Sequence, residues 1–478
     1  MINDFCIIGT GPTGLTLAWI LSNYGYKVTM IDREYTIGGC HRVRRVDDYF
    51  TEHGPRVYSD AYVNFITLLK KMNINFEDFF IPYNFDITTI GGKSIKDMKL
   101  FEIFWFGIEI FRMYFYPKFS IGISCLEYMK SKNFTTKTID YVDRVCRLTD
   151  GAGADRYTLF EFLQNFNQNV PYSLYQPKKP NDIGLFKNFK TKLEKKGVKF
   201  ILDTQIIQLK ENNGKITEII TNKGSNNLKA KNFIMAIPPK NLIKILNNSN
   251  ENIKNSFGNF NQLSKWTEET NYNVYITLIL HWNRKIELAN IWGFPLSDWG
   301  IAFIVLSDYM DFKEENSKLV ISCAITKTNN KSKVTGKTAM ESNEVEIKKE
   351  VFRELKELFP NITKPNKIII SPGDNKINNN WDTKDNAFLM TPSVVNGYPI
   401  QLQSNKYPNL YSVGTHNGFT RYHFTSMESA VTNAFKLAHL LIPESTKEYP
   451  IKSPFSLINW LVKFIFIIIL IVIIKLFV

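Results

Sequence analysis

The sequence predicts an α/β protein whose first domain is interrupted by an α+β domain and which ends in a transmembrane helix. Three observations support this fold class. The N-terminus alternates a short apolar strand, an apolar helix and a second strand. Strand and helix patterns that could complete the same domain return near residues 182 and 390, after long insertions. Residues 457–478 are almost wholly apolar.

Composition limits the class of protein. The chain has 478 residues, of which 44% are hydrophobic and 22% charged, enough for two folded domains. The net charge of +14 comes from lysines scattered along the chain, so we expect no nucleic-acid partner. The five cysteines are widely spaced and form no CxxC pair, which favours a reducing compartment and no metal site.

The first βαβ unit carries the strongest motif. Gly9, Gly11 and Gly14 form G-x-G-x-x-G between strand and helix, and Asp32 ends the next strand. The first glycine allows a tight turn, the second a close approach of the backbone to a pyrophosphate, and the third close packing of helix on strand. An acidic residue at the end of the second strand can accept hydrogen bonds from ribose hydroxyls. The sequence therefore predicts a Rossmann-type dinucleotide-binding domain.

The residues after this unit resemble the flavin-containing amine oxidase superfamily, which includes monoamine and polyamine oxidases, protoporphyrinogen oxidase and phytoene desaturases. Gly38 and Gly39 begin six residues after Asp32, and Gly54 follows a short pair of strands, as in that family. The family has an arginine directly after the glycine pair. Here that residue is a cysteine, and Arg42 is the nearest basic substitute.

Later segments continue the resemblance. Ile206 and Ile207 fall where the family makes a backbone contact to adenine. Gly414 and Thr415 match a glycine-containing strand end, and Met427 begins the family's M-E-x-A-V helix. A helix N-terminus at this place would stabilise negative charge on reduced flavin.

The resemblance implies FAD as the cofactor. The chain has no cysteine in the region before Gly414, where monoamine oxidases attach flavin covalently, so FAD is expected to bind non-covalently. The residues expected to contact it are Gly9, Gly11, Pro12, Thr13, Gly14, Asp32, Arg33, Gly38, Gly39, Arg42, Gly54, Pro55, Arg56, Ile206, Ile207, Gly414, Thr415, Ser426 and Met427.

The spacing of the matches implies a discontinuous FAD-binding domain made of residues 1–60, 182–265 and 390–442. Residues 61–181 and 266–389 then form the α+β substrate domain, residues 443–454 a linker and residues 455–478 a membrane anchor. Within the substrate domain, the aromatic-rich residues 100–119 are interpreted as a buried helix pair, with a membrane-dipping surface or a substrate-access wall as the alternative.

The C-terminal segment predicts a single membrane anchor. As a helix, residues 457–478 would be about 33 Å long, enough to cross a bilayer. Lys463 and Lys475 lie near its ends, where their charges can reach the interface, and Trp460 suits the interface. The alternatives are an interfacial helix and a buried one. With no signal peptide, we expect a membrane location with the catalytic body facing the cytosol.

The resemblance implies oxidation of an amine or another lipophilic small-molecule substrate by hydride transfer to flavin N5, with reoxidation by oxygen or another acceptor. Residues 271–280 lack the lysine with which many amine oxidases orient a water near N5. The candidates for catalysis lie near segments that should contact the isoalloxazine: Arg56, Tyr398, His416, Arg421 and Tyr422. Trp292 and Trp299 either line the substrate cavity or belong to the core.

Two other functions stay open. The sequence around residues 51–60 and 421–434 also resembles UDP-galactopyranose mutase, in which reduced flavin acts as a nucleophile without net redox change; Arg56 or Arg421 would then hold substrate phosphates. The third alternative is a catalytically silent, flavin-binding membrane protein.

Overall fold

The computed structural model describes residues 2–54, 56–83, 89–90, 93–94, 98–168, 173–271, 275–288, 297–313, 316–377, 380–418 and 426–477. The helices are α1 (Pro12–Asn23), α2 (Val63–Lys71), α3 (Phe76–Phe79), α4 (Leu100–Phe115), α5 (Pro117–Ile121), α6 (Cys125–Ser131), α7 (Thr136–Asp150), α8 (Leu159–Asn167), α9 (Leu185–Lys195), α10 (Pro239–Asn247), α11 (Glu251–Lys254), α12 (Phe260–Thr270), α13 (Glu344–Leu358), α14 (Met427–Leu441), α15 (Ser445–Glu448) and α16 (Leu457–Phe477). The strands are β1 (Asn3–Ile8), β2 (Val28–Ile31), β3 (Val43–Val46), β4 (Tyr49–Glu52), β5 (Tyr58–Ser59), β6 (Phe80–Pro82), β7 (Thr89–Ile90), β8 (Lys93–Ser94), β9 (Leu174–Pro177), β10 (Lys199–Ile201), β11 (Ile206–Asn212), β12 (Lys215–Thr221), β13 (Gly224–Met235), β14 (Ile276–Trp282), β15 (Ile301–Val305), β16 (Leu319–Ile325), β17 (Lys367–Ile370), β18 (Asp374–Ile377), β19 (Asn380–Thr383) and β20 (Leu410–Ser412).

The first sheet joins strands from three distant parts of the chain. Strands β10, β2, β1, β13 and β20 are parallel neighbours in that order. Strand β12 extends the sheet by antiparallel pairing with β13, and β11 pairs in turn with β12. Because β1 lies between β2 and β13, both of its edges are paired. The carboxyl ends of parallel strands in such a sheet are the usual place for a ligand.

Both faces of this sheet are covered, as parallel sheets require. Side chains alternate along β1, so Phe5 and Ile7 pack into a core shared with α1 and α14, while Cys6 and Ile8 pack into one shared with α10 and α12. Because both faces are covered, β1 is apolar from Phe5 to Ile8 and shows no polar alternation there.

The second sheet is antiparallel, in the order β15, β16, β14 and β17. Residues of β14 alternate between two cores: Leu278 and Leu280 pack with α13, whereas Ile279 joins the core that contains β1 and α14. The antiparallel sheet therefore packs directly against the Rossmann-type half of the molecule.

The C-terminal helix corrects one part of the predicted fold class. None of the helices in the described ranges is both long and apolar enough to span a bilayer. The predictions of a transmembrane tail anchor, a membrane partner bound through it and a membrane-anchored location are therefore wrong. Lys463 and Lys475 divide the apolar stretch, and the start of α16 is tied to the folded body, since the backbone N–H of Ile458 donates to Asn167 (2.9 Å) and Ile458 is buried.

Candidate functional site

A cavity of about 750 Å³ lies at the carboxyl ends of β1 and β2 and reaches the antiparallel sheet. The predicted site residues on its wall are Gly9, Gly11, Pro12, Thr13, Asp32, Arg33, Gly39, Arg42, Gly54, Arg56, Ile206, Ile207, Thr415, His416, Ser426 and Met427. Segments far apart in the sequence therefore meet around one volume that is large enough for a dinucleotide and part of a substrate.

The glycine turn before α1 leaves no room for side chains. Gly9 has φ +105°, and a Cβ there would lie 2.3 Å from the carbonyl oxygen of Ala236. A Cβ on Gly14 would lie 2.2 Å from the carbonyl oxygen of Gly9, so Gly14 allows the helix to approach the strand, although it does not line the cavity. Such contacts exclude every residue but glycine.

The N-terminus of α1 is open to the cavity. Its N-cap residue is Gly11, with no capping side chain, and Pro12 follows in the first turn. Gly39 comes so close that its Cβ would lie 2.8 Å from the Cα of Gly11. Backbone N–H groups at an uncapped helix start bind phosphate groups, and bare glycine backbone permits their approach. Gly38 lies off the wall, where its own Cβ would meet the ring of Phe186 at 2.8 Å.

The acidic residue after β2 is hydrogen-bonded within the protein. One carboxylate oxygen of Asp32 accepts from the backbone N–H (2.8 Å) and hydroxyl (2.6 Å) of Thr10, and Arg42 lies 3.1 Å away. Arg42 also donates to the carbonyl oxygen of Thr36 (2.9 Å) and is buried. Its guanidinium therefore neutralises Asp32, and since Arg42 also lines the cavity, its contact with FAD stays a prediction.

A second helix start borders the cavity. Ser426 caps α14 by accepting from the backbone N–H of Ser429 (3.1 Å), and Met427 follows on the wall. Thr415 lines the same region. Gly414 does not line it; its N–H donates to the side chain of Asn417 (2.8 Å).

Two of the predicted catalytic residues line the cavity, and a third lies near it. Arg56 lines the cavity and donates to the carbonyl oxygens of Cys40 and His53. His416 also lines it, and burial lowers its pKa to about 3, so its ring is neutral near pH 7. Tyr398 lies off the wall and packs against Gly418.

Several predicted residues lie outside the described ranges or away from the cavity. Pro55, Arg421, Tyr422 and Trp292 lie outside the residues that the structure describes. Trp299 is fully buried in the core around the antiparallel sheet and donates to the carbonyl oxygen of Lys337 (3.3 Å), so it is a core residue.

Two parts of the cavity wall that were not predicted from the sequence bear on the function. Tyr275, just before β14, lines the cavity, and its ring stacks on His53 with centroids 4.6 Å apart. Residues 382–388, which begin at the end of β19, also line the cavity and carry no recognisable motif.

The wall away from α1 is mostly apolar. Its apolar side chains are Tyr141, Val145 and Leu148 of α7, Phe166 of α8 and Ala324 of β16, and the same helices also contribute Arg147, Thr149 and Asn165. Apolar side chains in this part of a cavity favour a lipophilic substrate and exclude water.

The parallel sheet, the glycine turn and the open helix start together define a Rossmann-type dinucleotide-binding protein. Residues 7–72 match the profile of the NAD(P)-binding Rossmann-like domain, and residues 123–442 match that of flavin containing amine oxidoreductases. Because the second match covers more than half of the chain, the protein belongs to the flavin-containing amine oxidoreductase family. It is a FAD-dependent oxidoreductase.

Individual relatives are distant. An L-amino-acid oxidase of Sistrurus catenatus edwardsii is 28% identical over 74 residues, which are 16% of this chain and 14% of that protein. The chain thus matches about a seventh of the length of this curated relative.

Solved structures share the fold across nearly the whole chain. Wild-type putrescine oxidase bound to putrescine has a TM-score of 0.66 and 13% identity, covering 93% of this chain and 99% of that one. Cyclohexylamine oxidase from Brevibacterium oxydans IH-35A has a TM-score of 0.61 and 11% identity, with coverage of 93% and 99%. An oxidoreductase from Methanosarcina mazei has a TM-score of 0.58 and 14% identity, with coverage of 91% and 100%. At these identities the likeness shows the fold.

The cavity fits the family cofactor, FAD, held without a covalent bond. The open N-terminus of α1 suits a pyrophosphate, and the approach of Gly39 to Gly11 leaves bare backbone where a side chain would fill the space. The contacts of individual residues with FAD stay predictions.

Proposed function

We propose that the protein oxidises an amine or another lipophilic small molecule by hydride transfer to FAD, with oxygen or another acceptor completing the cycle. The observation that carries this proposal is that a single cavity joins the open start of α1 to the apolar wall of α7, α8 and β16. FAD supplies the hydride acceptor when it is bound. The remaining tasks are to hold the substrate, exclude water and keep nearby groups in fixed protonation states.

The positive charge of Arg56 at the substrate end of the cavity favours a hydride donor that is uncharged. The guanidinium of Arg56 lines the cavity, and its N–H groups contact carbonyl oxygens only, apart from an unpaired Nε in the described part of the chain. A fixed positive charge disfavours a second cation nearby. An amine substrate would therefore react as the free base, which is also the form that can release a hydride.

Two further side chains stay neutral. Burial raises the pKa of the Tyr275 phenol well above its ordinary value, so its hydroxyl keeps its proton, while burial keeps His416 uncharged. We assign Arg56 and His416 to the reacting end of the cavity, and we add Tyr275. The proposed FAD contacts are those of the motif residues on the wall, from Gly9 to Met427.

The test is an anaerobic reduction of the purified full chain. After loading with FAD, the absorbance spectrum is recorded while pooled primary amines, polyamines, amino acids and apolar carbon-hydrogen donors are added in turn. We expect the flavin absorbance near the visible maximum to bleach with one amine or lipophilic pool and to return with air.

The outcomes separate the functions. Bleaching by no pool, together with turnover of UDP-galactofuranose only after reduction with dithionite, would replace the proposal with a mutase. A flavin-loaded chain inert in both assays would contradict any catalytic function.

A further inference from the structure

Residues 382–388, called the clasp below, form one wall of the cavity beside the end of β2. Every residue of the clasp lines the cavity, as do Asp32 and Arg33. The clasp begins with the last two residues of β19, which forms with β18 a small hairpin separate from both large sheets. It therefore reaches the predicted cofactor site from a part of the chain with no cofactor motif.

The clasp is fastened to the Rossmann-type half by a buried ion pair. Arg44 of β3 donates through both terminal nitrogens to Asp385, at 2.6 and 2.9 Å. The exposed fractions of the two side chains are 5% and 3%. A bidentate guanidinium–carboxylate pair has a fixed geometry, and removing one partner leaves the other charge buried.

Weaker contacts hold the two ends. Arg33, directly after Asp32, donates to the carbonyl oxygen of Lys384. Asn386 donates to the side chain of Asn241, the third residue of α10, at 3.4 Å. The two amide groups are at the outer limit of a hydrogen bond. Backbone contacts also hold the clasp, since the N–H of Lys384 donates to Gly373 (2.8 Å) and Phe388 forms a β-bridge with Asn271. The Arg44–Asp385 pair is its buried ionic contact.

The environment of Asp385 favours its ionised form. Burial alone would raise the pKa of Asp385, but the hydrogen bonds of Arg44 and the nearby His53 lower it well below its usual value. The carboxylate therefore stays charged, and paired with Arg44, at every pH at which the protein is expected to fold.

We propose that the clasp closes over FAD and retains it, and that the Arg44–Asp385 pair is the latch that keeps the clasp shut. A cofactor seated between the open start of α1 and the clasp leaves only when this wall swings away. The same wall obstructs entry in the empty protein. The latch thus sets the rates of FAD release and FAD entry together.

The test measures both rates on the full chain. Release is followed by the rise of free FAD fluorescence after dilution into excess competing flavin, and entry by its quenching when FAD is mixed with the empty protein. The variants are Arg44→Gln, Asp385→Asn and the double variant. Arg45→Gln is the control, because Arg45 is the next residue of β3 and pairs with Asp182 (2.9 Å), away from the cavity.

We expect release from Arg44→Gln and Asp385→Asn to be at least about tenfold faster than from Arg45→Gln, since breaking the buried pair lets the clasp open more often. Entry should also become faster. The double variant should resemble the single ones, because each already opens the latch.

Faster FAD release with an unchanged rate of FAD entry would mean that residues 382–388 are an ordinary part of the wall, and it would overturn the proposal. Release as slow as in Arg45→Gln would overturn it as well. If Arg44→Gln fails to fold, Arg44→Lys keeps the buried charge but loses the bidentate geometry. It should then release FAD at least about threefold faster than the control; an unchanged rate would contradict the latch.

Discussion

Asn64 and Glu428 are hydrogen-bonded across 364 positions of the chain. The carboxylate of Glu428, in the first turn of α14, accepts from the backbone N–H (2.9 Å) and side-chain amide (2.6 Å) of Asn64 and from the N–H of Phe65 (2.9 Å). Those N–H groups belong to the first turn of α2. A side chain of the helix that borders the cavity therefore caps another helix, which fixes α14 relative to the body of the protein.

Asn64→Ala should destabilise the fold by about 1–3 kcal/mol, because Glu428 then loses a buried donor. The loss extends to the C-terminal segment, since Asn64 also exchanges hydrogen bonds with the backbone of Lys452 (2.8 and 2.9 Å). Denaturant unfolding of the empty protein measures the effect. Asn188→Ala is the control, since that amide bonds only to Gly184 within its own helix turn. Equal stabilities of the two variants would contradict the bridging role.

Glu428 should make stability fall as pH rises from about 4.5 to 7. Burial raises its pKa from 4.5 to about 7, against the hydrogen bonds from Phe65 and Asn64. In this range the unfolded chain has released the proton and the folded chain still holds it, so the free energy of unfolding decreases by up to about 3 kcal/mol. Glu428→Gln should flatten this slope in unfolding curves recorded from pH 4 to 8. Glu268→Gln, at an exposed position, should leave it unchanged; a slope retained in Glu428→Gln would assign it to another group.

Gly39→Ala should weaken FAD binding by at least about tenfold, because the new Cβ would lie 2.8 Å from the Cα of Gly11. Part of any damage would come from the backbone, since Gly39 has φ +58° and an alanine there is strained by roughly 1–2 kcal/mol. Gly197→Ala separates the two effects: Gly197 has φ +80° but no atom within 4 Å of its Cβ position. Titration of flavin fluorescence should show normal affinity in Gly197→Ala. Similar losses of FAD affinity in both variants would mean that backbone strain, and not the close approach to Gly11, is responsible.

Local chemistry explains which parts of the fold the sequence could predict. In the hairpin of β11 and β12, Asn212 pairs with Lys215 around Asn213 and Gly214, both with positive φ. Such turns need a backbone conformation that few residues adopt, so the sequence identifies them. The glycine turn before α1 is predictable for the same reason.

Helix α4 shows why other parts could not be predicted. Residues 100–119 were interpreted as a buried helix pair, yet Phe104 and Phe115 are each 64% exposed, while Glu102 is fully buried. This interpretation is wrong because apolar content does not reveal which helix face meets a partner. Tyr275 and the clasp reach the cavity only through tertiary packing, so no spacing in the sequence indicates them.

Glu102 is a second buried carboxylate, and its contribution to stability depends on pH in the opposite sense to that of Glu428. Its carboxylate accepts from the backbone N–H of Lys99 (2.7 Å) at the start of α4, and from the N–H (2.6 Å) of Thr135 and hydroxyl (2.6 Å) of Thr138 at the start of α7. Burial would raise the pKa of Glu102, but the hydrogen bonds from Thr138, Thr135 and Lys99 outweigh it and lower the pKa below 4.5.

Glu102→Gln should therefore cost about 1–2 kcal/mol of stability near neutral pH. A group with a depressed pKa stabilises the fold above its ordinary value and loses that contribution as pH falls, so the difference from the unmodified protein should shrink below about pH 4.5. Unfolding curves at pH 7, 5 and 4 measure this trend. Glu127→Gln is the matched control, because among the described residues Glu127 caps its own helix, through Ser124 (3.0 Å). If both substitutions cost the same at pH 7, the hydrogen bonds that Glu102 accepts from α7 add nothing, and α7, which carries much of the apolar cavity wall, must be held by its other contacts.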